Sequence, residues 1–479
     1  MKKVNIFLLS MILLASCVDS LDDYNIDQKR PSTAPPETLF TSALKQLTDA
    51  ITTPNVNNNN FRLYIQQWAT TTYLQEPRYD MTSRIIPQNL WQSLYKDVIA
   101  DLRESKRLLE EDEFLPAEDK TDQLAQIEII EVYAWSLLVN TFGNIPYTEA
   151  MNFDNPVPAY DDAATVYDDL FTRLDAALSS LAGEGETFQE ADLLYNGDHA
   201  KWIRFGNSLK MKMAMVLADV DPGKTRTLVE QAAPNVFTTN ADNARFPYLA
   251  SPPNYNQIAA NLNPAFSTRQ DYVIASAFID AMNARNDPRR PFYFTTVDGQ
   301  YIGGNYGFAN AYADFSHVSD KIIAPDFEAL LLDYSEVEFL LAEAVERGYA
   351  VEGTAEEHYN AAVAASILYW GGTPEEAAAY LAQPNVAYAT AGTNFKEKIG
   401  IQKWIALNNR GLDAWIEWRK FDYPVLSPPV GESVPPNLQL PVRLIYPINE
   451  QTLNGENRSA AASAIGGDVA TTKLWWDLN

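Results

Sequence analysis

The chain is poor in the residues on which most enzyme chemistry depends. Its 479 residues include one cysteine and three histidines, and 36 Lys and Arg stand against 63 Asp and Glu. A lone cysteine, Cys17, excludes an internal disulfide framework and a thiol-based active site with a resolving partner. His199, His317 and His358 lie far apart, and none sits in the His-Glu-x-x-His spacing of a helical zinc site. The chain also lacks a Gly-x-Ser-x-Gly elbow, a phosphate-binding glycine loop and an Asp-x-Asp-x-Asp-Gly calcium loop. These absences predict no catalytic residues, no cofactor and no resident metal. The shortage of cations gives a formal charge of −27, which repels nucleic acid and anionic lipid headgroups. No apolar run reaches the about 20 residues that a membrane-spanning helix requires.

What the chain does have begins at its N-terminus. Lys2 and Lys3 precede an apolar run from Ile6 to Ala15, broken only by Ser10, and Leu14-Ala15-Ser16-Cys17 follows. This layout predicts a signal peptide over residues 1–16, cut immediately before Cys17. Cys17 is then the lipidation site, and residues 17–36 form a tether ending in Pro31 and Pro35-Pro36. The acidic stretch Val18-Asp19-Ser20-Leu21-Asp22-Asp23 resembles the export signal of Bacteroidetes lipoproteins displayed outside the cell; a solvated tether is the alternative. Composition beyond the anchor is that of a globular protein, 46% apolar and 12% aromatic. Twenty-five Tyr and ten Trp exceed what a core usually demands. Each carries a polar group that wants a partner or water, which suits a carbohydrate- or peptide-binding face.

Apolar periodicity predicts a mainly α domain over residues 37–479. Leu39, Ala43, Leu47 and Ile51 form one helical stripe, and Leu94, Val98, Leu102 and Leu109 form another. A segment from Phe61 to Tyr73, carrying Trp68, is compatible with helix. Further helices are expected over Gln123–Phe142, closed by Gly143 at its C-terminus, and over Tyr167–Leu181 and Ala200–Ala218. Others follow at Phe327–Arg347, Ala355–Tyr369, Lys396–Asn408 and Gly411–Trp418. Two stretches, about 234–325 and 424–457, are rich in Pro, Asn, Gly and Tyr, with only Tyr272–Asn283 helical in the first. Long irregular segments inside a compact domain are commonly functional. The pair Leu340-Leu341-Ala342-Glu343-Ala344 and Tyr359-Asn360-Ala361-Ala362, joined through Gly348-Tyr349, has the small–large spacing of a tetratricopeptide-like hairpin.

At these helices the chain resembles a known family. Asp333-Tyr334-Ser335-Glu336-Val337-Glu338-Phe339-Leu340-Leu341-Ala342-Glu343-Ala344 is similar to the characteristic segment of the SusD/RagB outer-membrane lipoproteins. Tyr133-Ala134-Trp135 through Phe142-Gly143-Asn144-Ile145-Pro146-Tyr147, and Ala200-Lys201-Trp202 through Asn207-Ser208-Leu209-Lys210, resemble earlier segments of that family. Lys403-Trp404 with Glu417-Trp418-Arg419-Lys420, and Arg443-Leu444-Ile445-Tyr446-Pro447 with Asn454, resemble later ones. The resemblance implies an α/α superhelix of tetratricopeptide-like helical hairpins carrying a large loop-rich variable region. It also implies an extracellular-facing lipoprotein, held to the outer membrane through its lipid anchor only. Such a protein captures an oligosaccharide and hands it to a SusC-like TonB-dependent barrel. A tetratricopeptide-like surface protein that binds peptides or proteins is the second reading, and a secreted helical glycoside hydrolase the third. The hydrolase would need an opposed carboxylate pair, and 63 acids make such pairs uninformative.

The matched motifs are framework. Trp135, Trp202, Trp404 and Trp415 lie on apolar helical faces and are expected in the core, with Arg419 paired to a buried carboxylate such as Glu338 or Glu343. Candidate ligand contacts come instead from the loops, where aromatic rings stack on sugar C–H faces and amides take hydroxyls. Tyr301, Tyr306, Phe308 and Tyr312 alternate with Asn305, Asn310 and Asp314 around Gly303-Gly304. Tyr255, between Asn254 and Asn256, forms a second cluster, and Trp68, Tyr73, Arg78 and Tyr79 form a third.

Overall fold

The computed structural model describes residues 34–53, 59–152, 154–181, 183 and 185–479. The expected signal peptide, the expected lipidation site Cys17 and the expected tether up to residue 33 lie outside the described residues. Helix α1 (Pro36–Thr52) opens with Pro36 at its first turn, where the missing N–H costs nothing. Its buried stripe of Phe40, Ala43, Leu44, Leu47 and Ile51 packs on a helical rod further along the chain. Between them come the single turn α2 (Phe61–Tyr64) and strand β1 (Trp68–Thr70). The rod is α3 (Ile86–Gln92), a π-helical stretch over Ser93–Ile99, and α4 (Ala100–Glu111). Leu94, Val98, Leu102 and Leu109 all face inward, as their spacing predicts.

Helix α5 (Ala117–Phe142) is buried along almost the whole stretch from Ile127 onward and forms the centre of the molecule. Gly143 ends it with φ +87°, a conformation open to glycine. Against it pack α6 (Ala163–Ser180) and then the hairpin of α7 (His199–Val216) and α8 (Pro222–Ala232). Asp162, Asp198 and Asp221 accept backbone N–H groups at the three helix starts, each cap contributing about 0.5–2 kcal/mol. The loop-rich excursion that follows contains β2 (Ala244–Phe246), α9 (Gln257–Leu262), β3 (Tyr272–Ile274), α10 (Ser276–Asn283) and α11 (Arg290–Tyr293). Strand β4 (Ala329–Leu332) leads back into the hairpin of α12 (Tyr334–Glu346) and α13 (Ala355–Trp370). A short α14 (Pro374–Leu381) precedes a last hairpin, α15 (Phe395–Ala406) and α16 (Gly411–Phe421). The chain closes with α17 (Ile448–Leu453) and α18 (Gly455–Ala464). The architecture is mainly α, built from tetratricopeptide-like hairpins, as the resemblance implies.

Three expectations are corrected. The segment 61–73 is helical only to Tyr64, and Trp68–Thr70 pairs antiparallel with Tyr272–Ile274, so the second segment also begins as strand rather than helix. Likewise, Phe327–Leu332 is not the start of α12. Ala329–Leu332 pairs with Ala244–Phe246, and Asp333 then caps the helix by accepting from Glu336 N at 2.7 Å. In each case a short β-branched or leucine-rich run finds a distant partner, which periodicity within a window cannot register.

Trp135, Trp202, Trp404 and Trp415 are all core residues. Arg419 is not paired with Glu338 or Glu343. Its guanidinium stacks 3.7 Å from the Trp415 ring and donates to the carbonyls of Val442 and Asn140, both at 2.8 Å. Glu343 is taken by Lys420 and Arg347, and Glu338 by His358.

Candidate functional site

The β1–β3 pair organises the variable loops. An isolated bridge joins Ala275 to Gly304, so the segment after β1 and the loop over 301–317 are both pinned to one small sheet. A side chain at Gly304 would meet Val273 Cγ2 at 2.6 Å, so this crossing needs glycine. Asn310, 3% exposed, then locks the loop above it. Its amide donates to the carbonyls of Thr70 (2.9 Å), Asn305 (3.0 Å) and Phe308 (2.7 Å), and its oxygen accepts from Asn305 N (2.7 Å). Both polar atoms of the Asn310 side chain are spent on framework.

The early loop is clamped to the same place. Asp80 accepts from the backbone N–H groups of Thr82 (2.9 Å) and Ser83 (3.0 Å), shaping a tight turn. Burial opposes ionisation of Asp80, but its hydrogen bonds from Ser83 and Thr82 outweigh it and hold the carboxyl below the usual range. Arg78 donates to Gly307 O (2.9 Å) and Ser433 O (2.7 Å), which ties the early loop to two others, and lies over the Phe308 ring. Arg84 pairs with buried Glu76 and lies 4.6 Å from the Tyr73 ring centroid.

Tyr73, Arg78, Tyr79, Asn305, Phe308 and Tyr312 are thereby gathered on linked loops. Tyr73 is 39% exposed, Asn305 is exposed, and Phe308 and Tyr312 are half-buried. Tyr312 leans on His317 with ring centroids 4.1 Å apart. Tyr79 lies one layer down, its ring 6.5 Å from Tyr306 and 6.2 Å from Tyr64, and burial pushes its hydroxyl up to about 12. What reaches solvent is the Tyr73 ring and the part-exposed rings of Phe308 and Tyr312, each backed by a cation or an imidazole, with Asn305 beside them. Such a surface can stack on the C–H face of a sugar and take its hydroxyls.

Four of the nominated contacts do not belong to this face. Trp68 is 1% exposed, held between Tyr272 (5.2 Å) and the Arg62 guanidinium (5.2 Å), and has no free ring face for a ligand. Tyr306, 9% exposed, packs with Ala69, Val273 and Ala275 beneath the loops. Tyr255 pairs with Phe266 at 5.0 Å, while its neighbour Asn256 is buried as the cap of α9. Among the described residues, no ring or hydrogen-bond contact ties Tyr255 to the face. Tyr301 lines a different cleft, beside Arg290 and α14. Arg84 and Ser433 were not among the candidate contacts, although Ser433 lies in the loop-rich stretch 424–457, because contacts made between loops leave no local pattern.

Among the described residues, no group of three or more His, Cys, Asp or Glu is placed to hold a metal ion. The histidines serve separate structural bonds: His199 with Asp122 (2.9 Å), His317 with Thr295 (3.2 Å) and His358 with Glu338 (2.6 Å).

Scaffold and face together define a class: a helical-repeat protein that presents an aromatic, amide-edged loop surface for binding. A family model described as "Starch-binding associating with outer membrane" matches residues 28–447, and the chain belongs to this SusD-like family. The family is one of outer-membrane-associated, non-catalytic carbohydrate-binding proteins, which sets aside the hydrolase reading. Solved structures agree. A chitin-binding protein superposes with a TM-score of 0.80 at 25% identity, covering 93% of this chain and all (100%) of its own. A chitin-binding SusD homologue from Flavobacterium johnsoniae gives 0.78 at 26% identity, over 92% and 99%. A SusD homologue from Bacteroides thetaiotaomicron gives 0.78 at 25%, over 93% and 100%. A search of curated protein sequences finds no match. No helix of the described residues is long and apolar enough to cross a membrane.

Proposed function

We propose that the protein captures a glycan nutrient on the face of Tyr73, Phe308 and Tyr312, with Arg78 and Asn305 taking hydroxyls. The observation that carries this reading is the pinning of exposed rings by a buried framework. Because Asn310 and the β1–β3 pair hold the loops before any ligand arrives, little ordering entropy opposes binding. Tyr79 supports the face from beneath. The chitin-binding names of two structural relatives favour a glycan over a peptide. On this reading Cys17 carries the lipid that anchors the protein to the outside of the outer membrane. The captured glycan then passes to a SusC-like TonB-dependent barrel.

The test is native electrophoresis of residues 18–479 through gels loaded with glycol chitin, amylopectin, laminarin or polygalacturonate. Retardation that disappears in Tyr312→Ala and weakens in Tyr73→Ala supports capture on this face. Free migration in every gel, with tight binding to a peptide library instead, refutes it. Co-purification of a barrel with the tagged, membrane-anchored chain tests the hand-over.

A further inference from the structure

A second cleft, of about 500 Å³, opens where the segment 286–301 meets α14. It is lined by Asn286, Arg290, Tyr301, Glu376, Ala379 and Gln383, among others, and falls within the range of about 300–1,000 Å³ typical of small-molecule sites. Its floor is rigid. Asp287 and Arg289, both 0% exposed, form a double ion pair that also engages Ser366 (3.0 Å) and Gln402 (3.0 Å). This floor ties the loop to the helical scaffold, so the cleft does not depend on a ligand to form.

The walls carry polar groups that are open to solvent rather than spent on framework. Arg290 lies 5.3 Å from the Tyr301 ring centroid and is fixed by two bonds, Nε to Asp287 O (3.0 Å) and Nη1 to Asn283 Oδ1 (2.9 Å). Asn283 in turn donates to Tyr301 O (3.1 Å), so ring and guanidinium are set as one unit. Among the described residues, the Nη2 of Arg290 and the side-chain amides of Asn286 and Gln383 have no intramolecular partner. Glu376 spends one oxygen, Oε2, on Thr373 N (2.8 Å). Donors and acceptors without partners therefore line one preformed cleft beside a half-buried tyrosine.

We propose that this cleft is a second carbohydrate subsite, taking one or two neutral sugar units of the same chain held on the Tyr73–Tyr312 face. The proposal rests on the glycan reading above. Hydroxyl groups both donate and accept, and this lining offers both. Arg290 and Glu376 cancel in formal charge, and the chain as a whole carries −27, so an acidic sugar gains nothing here. Tyr301 and Tyr312 belong to the same pinned loop, which places both subsites on one stretch of chain.

The same gels test it with Ala379→Trp, which fills the cleft from the exposed face of α14, and Gln383→Ala, which removes one amide. Melting temperatures matching the parent's show that both fold. The expected result is a fall of about tenfold in affinity for a neutral polysaccharide in Ala379→Trp and a smaller fall in Gln383→Ala. Unchanged affinity in both variants, with loss confined to Tyr312→Ala, overturns the second subsite and leaves glycan capture standing. Retardation by polygalacturonate alone, relieved by Ala379→Trp, overturns the assignment to neutral sugars. Free migration of the parent in every gel removes the reading on which the subsite rests, and the subsite with it.

Discussion

Replacing Arg410 by Met tests whether the family-like segment at Asp333 is a charge device of the core. Arg410 is 3% exposed and faces three carboxylates: Asp333 (3.3 Å), Glu336 and Asp413 (2.9 Å). Lys212 is the second cation, 3.3 Å from Glu336 and also bonded to Asp413. Two cations thus hold three buried acids. Removing Arg410 leaves one ammonium among three carboxylates, and breaking a buried pair in this way costs about 3–5 kcal/mol. Glu336→Gln instead leaves two cations facing two carboxylates, so the expected loss is smaller, about 1–3 kcal/mol, the worth of hydrogen bonds to charged groups. Acidity separates this account from simple packing loss. In the parent, burial opposes ionisation of Glu336, but Arg410 and Lys212 overrule it and hold its carboxyl well below the usual range. Its contribution is present above an unfolded value of about 4.3 and lost as pH falls. In Arg410→Met the remaining acids are raised instead, so protonation relieves the variant, and the stability gap to the parent narrows between pH 7 and pH 4. Urea unfolding followed by tryptophan fluorescence reads the gap as a shift in midpoint at constant slope. A gap under about 1 kcal/mol, a gap that widens on acidification, or Glu336→Gln costing more than Arg410→Met refutes the reasoning.

Three further outcomes follow from the structure. Both ring nitrogens of His358 face acceptors, Glu338 Oε2 and Glu352 O, each at 2.6 Å, so the ring is held as imidazolium. Burial lowers its affinity for the proton, but Glu338 and the Glu352 carbonyl raise it further. This stability is therefore full below about pH 6.5 and lost as pH rises through the folded value; a gap between parent and His358→Gln that stays constant from pH 6 to 9 contradicts it. Trp68→Ala is expected to cost about 3–5 kcal/mol in urea unfolding, while Trp68→Phe keeps glycan retardation, since the ring is core. Gly307 has φ +79°, and a Cβ there would meet Pro429 Cβ at 2.4 Å. Gly307→Ala should cost about 1–3 kcal/mol and expose the 424–434 loop to limited proteolysis, which an unchanged digestion pattern rules out.

Much of the scaffold was legible because long helices repeat their apolar faces many times within a few turns. Leu94, Val98 and Leu102 announced their buried stripe, and Gly143 its helix end. The family-like segment from Asp333 to Ala344 was legible as a motif, although most partners of its acids lie far along the chain: Arg410, Lys212, His358 and Lys420. The candidate face was legible in composition but not in membership. Tyr73, Arg78, Tyr79, Asn305 and Tyr312 are brought together, whereas Trp68 and Tyr306 are buried beneath them and Tyr255 stands elsewhere.

The chain by itself determined the helical periodicities, the acidic balance and the loop-rich stretches that carry surplus aromatics, because each is written in neighbouring residues. Only the tertiary structure decided which aromatics keep a face in water. That choice turns on three-residue strands whose partners lie some two hundred residues away, Trp68–Thr70 against Tyr272–Ile274, where the pairing itself supplies the stability. It also turns on a single buried amide, Asn310, whose bonds reach back to Thr70 and hold the loop open to solvent.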